Sequence, residues 1–141
     1  MNQNQSGTPP RATGRCLCGG VAYEVHGPLR EVVNCHCGQC LRTHGNFAAY
    51  TSVAEADLRL TERRGLKWYE SSDKARRGFC EICGASLFWA PKDQGRIAVS
   101  AGTLDRPTGL TTIRNIFVAE KGDYYEIADG LECLPRGQGS S

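Results

Sequence analysis

Cys16-Leu17-Cys18-Gly19-Gly20-Val21-Ala22-Tyr23-Glu24-Val25-His26 joins a close cysteine pair, a glycine turn and an alternating stretch. Apolar Val21, Tyr23 and Val25 recur at every second position, the period of a half-buried strand. The same short pattern returns along the chain. It appears in Phe47-Ala48-Ala49-Tyr50-Thr51, Leu58-Arg59-Leu60, Leu66-Lys67-Trp68-Tyr69, Ser86-Leu87-Phe88-Trp89, Ile97-Ala98-Val99 and Ile116-Phe117-Val118. Glycine or proline separates most of these segments, and no window sustains a period of 3.6 residues. The best short helix is Gly38 to His44, opening inside a second cysteine cluster. The expectation is an all-β (mainly β) fold of short antiparallel strands with one short helical turn at that cluster.

Composition sets the compartment and the partner class. The chain has 141 residues and a net charge of +2. That length suits one domain with its own core, so metal supplements the core and does not replace it. Near-balanced charge argues against a polyanionic partner, so no nucleic acid is expected. No apolar run approaches the ~18 residues that span a bilayer, and no membrane association is expected. The N-terminal MNQNQSGTPPRATG carries no signal-type apolar stretch, so the expected location is cytoplasmic. Residues 1–13 and 135–141 are polar or rich in Pro, Gly and Ser. Both read as disordered tails around a single zinc-binding domain at 14–134.

In that compartment, close cysteine pairs point to metal or redox chemistry. Three clusters hold seven of the eight cysteines: Cys16-x-Cys18, Cys35-x-Cys37-x-x-Cys40 and Cys80-x-x-Cys83. A disulfide across C-x-C would be strained, whereas two thiolates at that spacing converge easily on one ion. Cys16, Cys18, Cys80 and Cys83 supply the four thiolates of a closed structural zinc site. Cys35, Cys37 and Cys40 supply three, and three protein ligands with an exchangeable fourth position is the arrangement of catalytic zinc. Two zinc ions per chain follow. The smaller cluster can alternatively close by recruiting His44 or His36, and iron–sulfur ligation ranks below zinc. His36 stands between two ligands and reads as a catalytic residue or as one that orients the loop. His26 and Cys133 read as a surface histidine and a lone thiol. Lys74, Arg76, Arg77 and Arg42 read as a solvated face, or as holders of a substrate's carboxylates if the clusters border a cleft.

Taken in order, Gly14-Arg15-Cys16-Leu17-Cys18-Gly19-Gly20-Val21, Cys35-His36-Cys37-Gly38-Gln39-Cys40 and Gly78-Phe79-Cys80-Glu81-Ile82-Cys83-Gly84 resemble the glutathione-dependent formaldehyde-activating enzyme family, which includes centromere protein V. The likeness continues through Ala101-Gly102-Thr103-Leu104-Asp105, Ile116-Phe117-Val118 and Ile127-Ala128-Asp129-Gly130-Leu131. It implies a zinc-bound β-tent, with structural zinc on Cys16, Cys18, Cys80 and Cys83. It also implies a second zinc on Cys35, Cys37 and Cys40, where the chemistry occurs. The implied activity is that of a carbon–sulfur lyase, S-(hydroxymethyl)glutathione synthase-like, with a small-molecule thiol (glutathione) and an aldehyde (formaldehyde) as partners. The sequence departs from the family's usual pattern in three places: Leu41 where Arg is common, Asn115 where His is common, and the pair Tyr124-Tyr125 where Trp is common. Two other readings remain: a non-catalytic zinc-binding interaction module, and a thiol redox or zinc-storage protein.

Overall fold

The computed structural model describes residues 8–137. The alternation of Val21, Tyr23 and Val25 is realised as written: all three side chains are buried, while Ala22 and Glu24 between them are half-buried. They form β2 (Ala22–Val25) and the residue before it. With β1 (Ala12–Arg15) and β5 (Leu58–Glu62), β2 makes a three-stranded antiparallel sheet in the order β1-β2-β5. The remaining strands are β3 (Val32–Cys35), β4 (Ala48–Ala54), β6 (Leu66–Glu70), β7 (Ala75–Cys80), β8 (Ser86–Pro91), β9 (Arg96–Ser100), β10 (Thr112–Ile116) and β11 (Glu132–Cys133). They form an eight-stranded sheet in the order β11-β10-β3-β4-β9-β8-β7-β6. One α-helix, α1, runs from Gly38 to His44.

The main core lies between the two sheets. Val21, Tyr23 and Val25 from the small sheet meet Val53, Phe88, Ile97 and Val99 from the large one. Tyr23 packs edge-on against Phe88 at 5.6 Å, and its hydroxyl bonds Thr103 Oγ1 at 2.7 Å. Each buried aliphatic side chain contributes about 1.5–3 kcal/mol, so this layer supplies the bulk of the driving force. The other face of the large sheet carries α1. There Cys40, Ala48 and Tyr50 make a second, smaller core, with Cys35, Cys37, Trp89 and Ala98 against it.

The structure departs from the sequence reading in four places. Pairing begins at Ala12, inside the segment read as tail, because Arg11 N–H already bonds Val25 O and Ala12 pairs with Val25. Residues 1–7 and 138–141 of the expected tails lie outside the described residues. The strand expected at Ile116-Phe117-Val118 ends at Ile116. Phe117 takes a left-handed φ of 57°, and a 3-10 turn follows at Val118–Glu120. The strand stops there because Ile116 pairs with Cys35, the last residue of its neighbour. Not every pair is antiparallel: β10 runs parallel to both β3 and β11. Finally, β3 and β7 were not read as strands. Val32-Val33-Asn34 is buried without alternation, and the Arg76-Arg77-Gly78 run conceals the pattern of β7.

Candidate functional site

The end of β1 and the turn after β7 bring four cysteines together. The Sγ atoms of Cys16, Cys18, Cys80 and Cys83 all lie within 4.8 Å of one another. Cys16 to Cys18 is 3.8 Å and Cys18 to Cys80 is 3.7 Å. Amide N–H groups point at the sulfurs, from Gly20 to Cys18 and from Val21 to Cys16, each at 3.3 Å. The turns require glycine. Gly19 and Gly84 have φ of 80° and 82°, and a Cβ on Gly65 would stand 2.7 Å from Cys80 Sγ. Amides of Cys18 and Ala85 hold the Cys83 thiol down to about 6. Four convergent soft donors with amide support fit a tetrahedral zinc ion.

The second set is local. Cys35 ends β3, Cys37 is the N-cap of α1, and Cys40 is in its first turn. Cys37 Sγ accepts the Cys40 amide at 3.4 Å, so one residue both caps the helix and faces the cluster. The three sulfurs lie within 4.8 Å of one another, and among the described residues no histidine, carboxylate or further cysteine completes a fourth position. Hydrogen bonds from Cys35 and then Cys40 pull Cys37 down to about 2. Sharing with Cys37 and then with Cys40 pushes Cys35 far up. At Cys40 the hydrogen bond from Cys35 pulls down, but Cys37 and burial outweigh it and raise the thiol to about 11. Ionising all three thiols so close together needs a cation among them. This donor set fits zinc as well, with three ligands.

Arg77, at the middle of β7, bridges that cluster to the surrounding face. It is only 8% exposed, so it is not the solvated side chain its sequence context suggests. Its guanidinium donates to Gln39 Oε1 at 3.2 and 3.3 Å, to Tyr50 Oη at 3.1 Å and to Cys40 Sγ at 3.8 Å. Tyr50 Oη accepts from Arg77 and also bonds His44 Nε2 at 3.2 Å. Burial, then the Arg77 charge, lower the His44 pKa, leaving the ring neutral near pH 7. Tyr50, His44 and Arg77 border a cavity of about 380 Å³ walled by Trp68, Phe79 and Phe88. A second depression of about 290 Å³, reached by Gln39 and Arg42, shares Arg77 and Thr43 with it. Arg76 stacks on Trp68 at 3.9 Å instead, and Lys74 is exposed.

His36 lies on the opposite side of the loop, 1% exposed. Its Nε2 donates to Asn115 Oδ1 at 3.0 Å, because the Asn115 amide donates to the Asp129 carboxylate at 3.1 Å. Its Nδ1 accepts the Tyr125 hydroxyl at 3.3 Å, and Phe47 packs on the ring with centroids 5.1 Å apart. Two of the three departures noted in the sequence, Asn115 and Tyr125, therefore meet on one histidine. Cys133 is exposed and sits 3.9 Å from the Asn115 amide, and His26 pairs with Glu24 at 2.8 Å on the small sheet. Sequence reasoning did not find Tyr50, Asp129 or the inward turn of Arg77. Only the Asn115 and Tyr125 departures signalled part of this arrangement beforehand.

Comparison with known proteins agrees with this geometry. The family model described as glutathione-dependent formaldehyde-activating enzyme matches residues 11–120. An uncharacterised lyase of Schizosaccharomyces pombe is 25% identical over 122 residues, covering 85% of this chain and 88% of that protein. A crystal structure of a Rhodobacter sphaeroides protein superposes with a TM-score of 0.55 at 27% identity. It covers 71% of this chain and 97% of its own. The matched span holds both cysteine sets, α1 and the Arg77 contacts, and a lyase-type enzyme is consistent with each comparison. The chain belongs to the glutathione-dependent formaldehyde-activating enzyme family.

Proposed function

We propose that this protein is a zinc-dependent carbon–sulfur lyase that forms or cleaves adducts between a small aldehyde and a thiol, S-(hydroxymethyl)glutathione synthase-like, acting in the cytoplasm with two zinc ions per chain. The observation that carries the reading is the contrast between the two sets: four mutually close sulfurs in one, three in the other with no fourth donor among the described residues. Cys16, Cys18, Cys80 and Cys83 would hold a structural ion, and Cys35, Cys37 and Cys40 the reactive one. Zinc bound there supplies a Lewis acid that favours the ionised form of a neighbouring thiol near neutral pH.

In the cleavage direction, the adduct's hydroxyl loses its proton and the oxygen lone pair becomes the carbonyl bond. The carbon–sulfur bond breaks, and its electron pair leaves on sulfur as thiolate. Tyr50 and His44 suit that proton: Tyr50 Oη takes it while its own proton passes to neutral His44 Nε2. Arg77 fixes Tyr50 and Cys40 in one frame. His36, its ring held by Asn115 Oδ1 and the Tyr125 hydroxyl, orients the Cys35-His36-Cys37 segment. The reverse sequence joins the thiolate to the aldehyde carbon, with proximity supplying much of the gain.

Thiols add to formaldehyde spontaneously, so the decisive measurement is exchange, not product formation. Magnetisation-transfer NMR on a glutathione–formaldehyde mixture should show exchange faster than buffer alone with zinc-loaded protein. Cys37→Ser should return it to the buffer rate while the circular-dichroism spectrum stays native. Exchange at the buffer rate with fully loaded wild type would sink the reading.

A further inference from the structure

Of the three clustered thiols, Cys37 is the one that lies inside neither a strand nor a helix. Cys35 is the last residue of β3, paired with Ala48 on one side and Ile116 on the other, and Cys40 is buried in α1. Cys37 stands between them as the N-cap, with an extended backbone at φ −65° and ψ 159°. Beyond its capping bond to the Cys40 amide, its position is set by its two neighbours, His36 and Gly38. Both are held by the end of β10 and the segment after it. The His36 amide donates to Ile116 O at 2.9 Å, and the Gly38 amide donates to Glu120 Oε1 at 2.7 Å. Helix α1 has no acidic residue in its own first turn, so Glu120, 82 positions away, supplies the carboxylate for its first amide.

The His36 side chain carries the longer half of this grip. Its Nε2 meets Asn115 Oδ1 at 3.0 Å, and its Nδ1 meets the Tyr125 hydroxyl at 3.3 Å. An amide can turn either its oxygen or its NH2 to a ring nitrogen, and Asn115 is buried, where a mismatched pair is costly. Asp129 decides which. Its carboxylate accepts from the Asn115 NH2 at 3.1 Å, so the amide oxygen turns to His36 and the ring carries a proton on Nε2. The same NH2 stands 3.9 Å from Cys133 Sγ, and the Leu131 amide fixes the Asp129 carboxylate at 3.0 Å. Lys121 fixes Tyr125 in turn: its Nζ donates to Tyr125 O and lies 5.0 Å from the ring centroid. Tyr125 and Asp129 both lie beyond residue 120, where the family match ends.

We infer that Asp129 is a positioning residue for the three-cysteine set: through Asn115 it fixes the His36 ring, and together with Glu120 on Gly38 it clamps Cys37 where its sulfur meets those of Cys35 and Cys40. The assignment rests on the reading above that this set holds the reactive zinc, and it adds a control on that ion from a residue outside the family match. Each thiolate must stand about 2.3 Å from zinc, so a loop that lets Cys37 swing weakens this ion first. The four-cysteine set shares none of these contacts and should not respond.

The test compares the zinc-loaded full chain with Asp129→Ala, Asp129→Asn and Asp123→Ala. Asp129 and Asp123 are both exposed, so neither change opens a cavity. Two quantities are read: the NMR shifts of the His36 ring nitrogens, which report where the proton sits, and chelator competition for each zinc ion. Wild type should show the proton on Nε2, and Asp129→Ala a mixture of both ring tautomers. Asp129→Ala should also weaken the zinc of the three-cysteine set by about 10- to 100-fold, the usual loss when a group behind a metal ligand is removed. The other ion should bind as before. Asp129→Asn keeps one oxygen for the Asn115 NH2 and should recover part of both effects, while Asp123→Ala should match wild type. A residue that only steadied the fold would loosen both ions together and leave one tautomer, and that result overturns the clamp. Unchanged zinc affinity in Asp129→Ala overturns it too, whatever the tautomer shows. The expected Asp129→Ala response alongside adduct exchange at the buffer rate keeps the clamp and overturns the lyase reading alone. A wild type that holds only one zinc overturns the three-cysteine ion and the clamp together.

Discussion

Arg77 shows how a single side chain ties stability to the site. It is buried, it satisfies Gln39 and Tyr50, and it reaches Cys40 Sγ. Arg77→Leu removes a donor from buried Tyr50 Oη and Cys40 Sγ and should lower stability by about 1–3 kcal/mol in urea denaturation. It should also weaken zinc at the three-cysteine set more than at the four-cysteine set, as chelator competition would read. Arg77→Lys should recover only part of either loss, because an ammonium lacks the planar fork. If both metal affinities stay unchanged in Arg77→Leu, the residue supports the fold alone. His44 makes a pH prediction. Burial and Arg77 lower its pKa, so the neutral, proton-accepting form persists below the ordinary midpoint of 6.5. The cleavage rate should hold from neutral pH down past that midpoint and then fall as the ring protonates. His44→Gln should abolish this acid limb and slow cleavage by about 10²-fold. An acid limb that survives in His44→Gln would remove His44 from the relay.

At the scale of elements, α1 is short and depends on its ends. Its N-cap is Cys37 of the three-cysteine set, and its C-cap is Gly45 at φ 88°, whose amide closes on Leu41 O at 2.8 Å. A residue with a Cβ is disfavoured there, so Gly45→Ala should cost about 1 kcal/mol. The loss should appear as a lower melting temperature and a faster release of one zinc, not two. Release of both ions together would mean that α1 supports the whole molecule and not one site. Helix α1 was legible in sequence from Gly38 to His44 because cysteine spacing and Gly45 bound it on both sides. Strand β7 was not legible, because Arg77 points into the protein only where Tyr50 and Gln39 wait for it, and those residues come from β4 and α1. Likewise, β10 ends at Ile116 because its partner β3 ends at Cys35, a limit set by pairing and not by its own residues.

For the whole molecule, the two cysteine sets differ in what they join. Cys18 and Cys80 are separated by 62 positions, and their set fastens the small sheet to the turn between β7 and β8. Closing so long a loop costs the unfolded chain entropy that a metal held by the four cysteines would offset. Cys35, Cys37 and Cys40 close only a local turn at one end of α1. Elemental analysis of wild type should therefore find about two zinc per chain, one for each set. Cys37→Ser should retain about one and remain folded, whereas Cys80→Ser should unfold or aggregate. Equal damage from both variants would make the second set structural as well.

Much of this was determined by sequence because it is local. Period-2 alternation marked Val21, Tyr23 and Val25 as core, and spacing gathered seven cysteines into three clusters, whose count suggested the groups of four and three that the structure brings together. Thiols two or three positions apart can hardly avoid meeting, so each close cluster needs no knowledge of the fold, whereas the union of Cys16 and Cys18 with Cys80 and Cys83 does, because 62 positions separate Cys18 from Cys80. Other features needed the tertiary structure because their partners are distant in the chain. His36 meets Asn115, 79 positions away, and Arg77 meets Gln39, 38 positions away. Arg114, Val33, Tyr50 and Ser100 share one face only because β10, β3, β4 and β9 lie side by side. Nothing in the order of those residues brings them together; only strand pairing does.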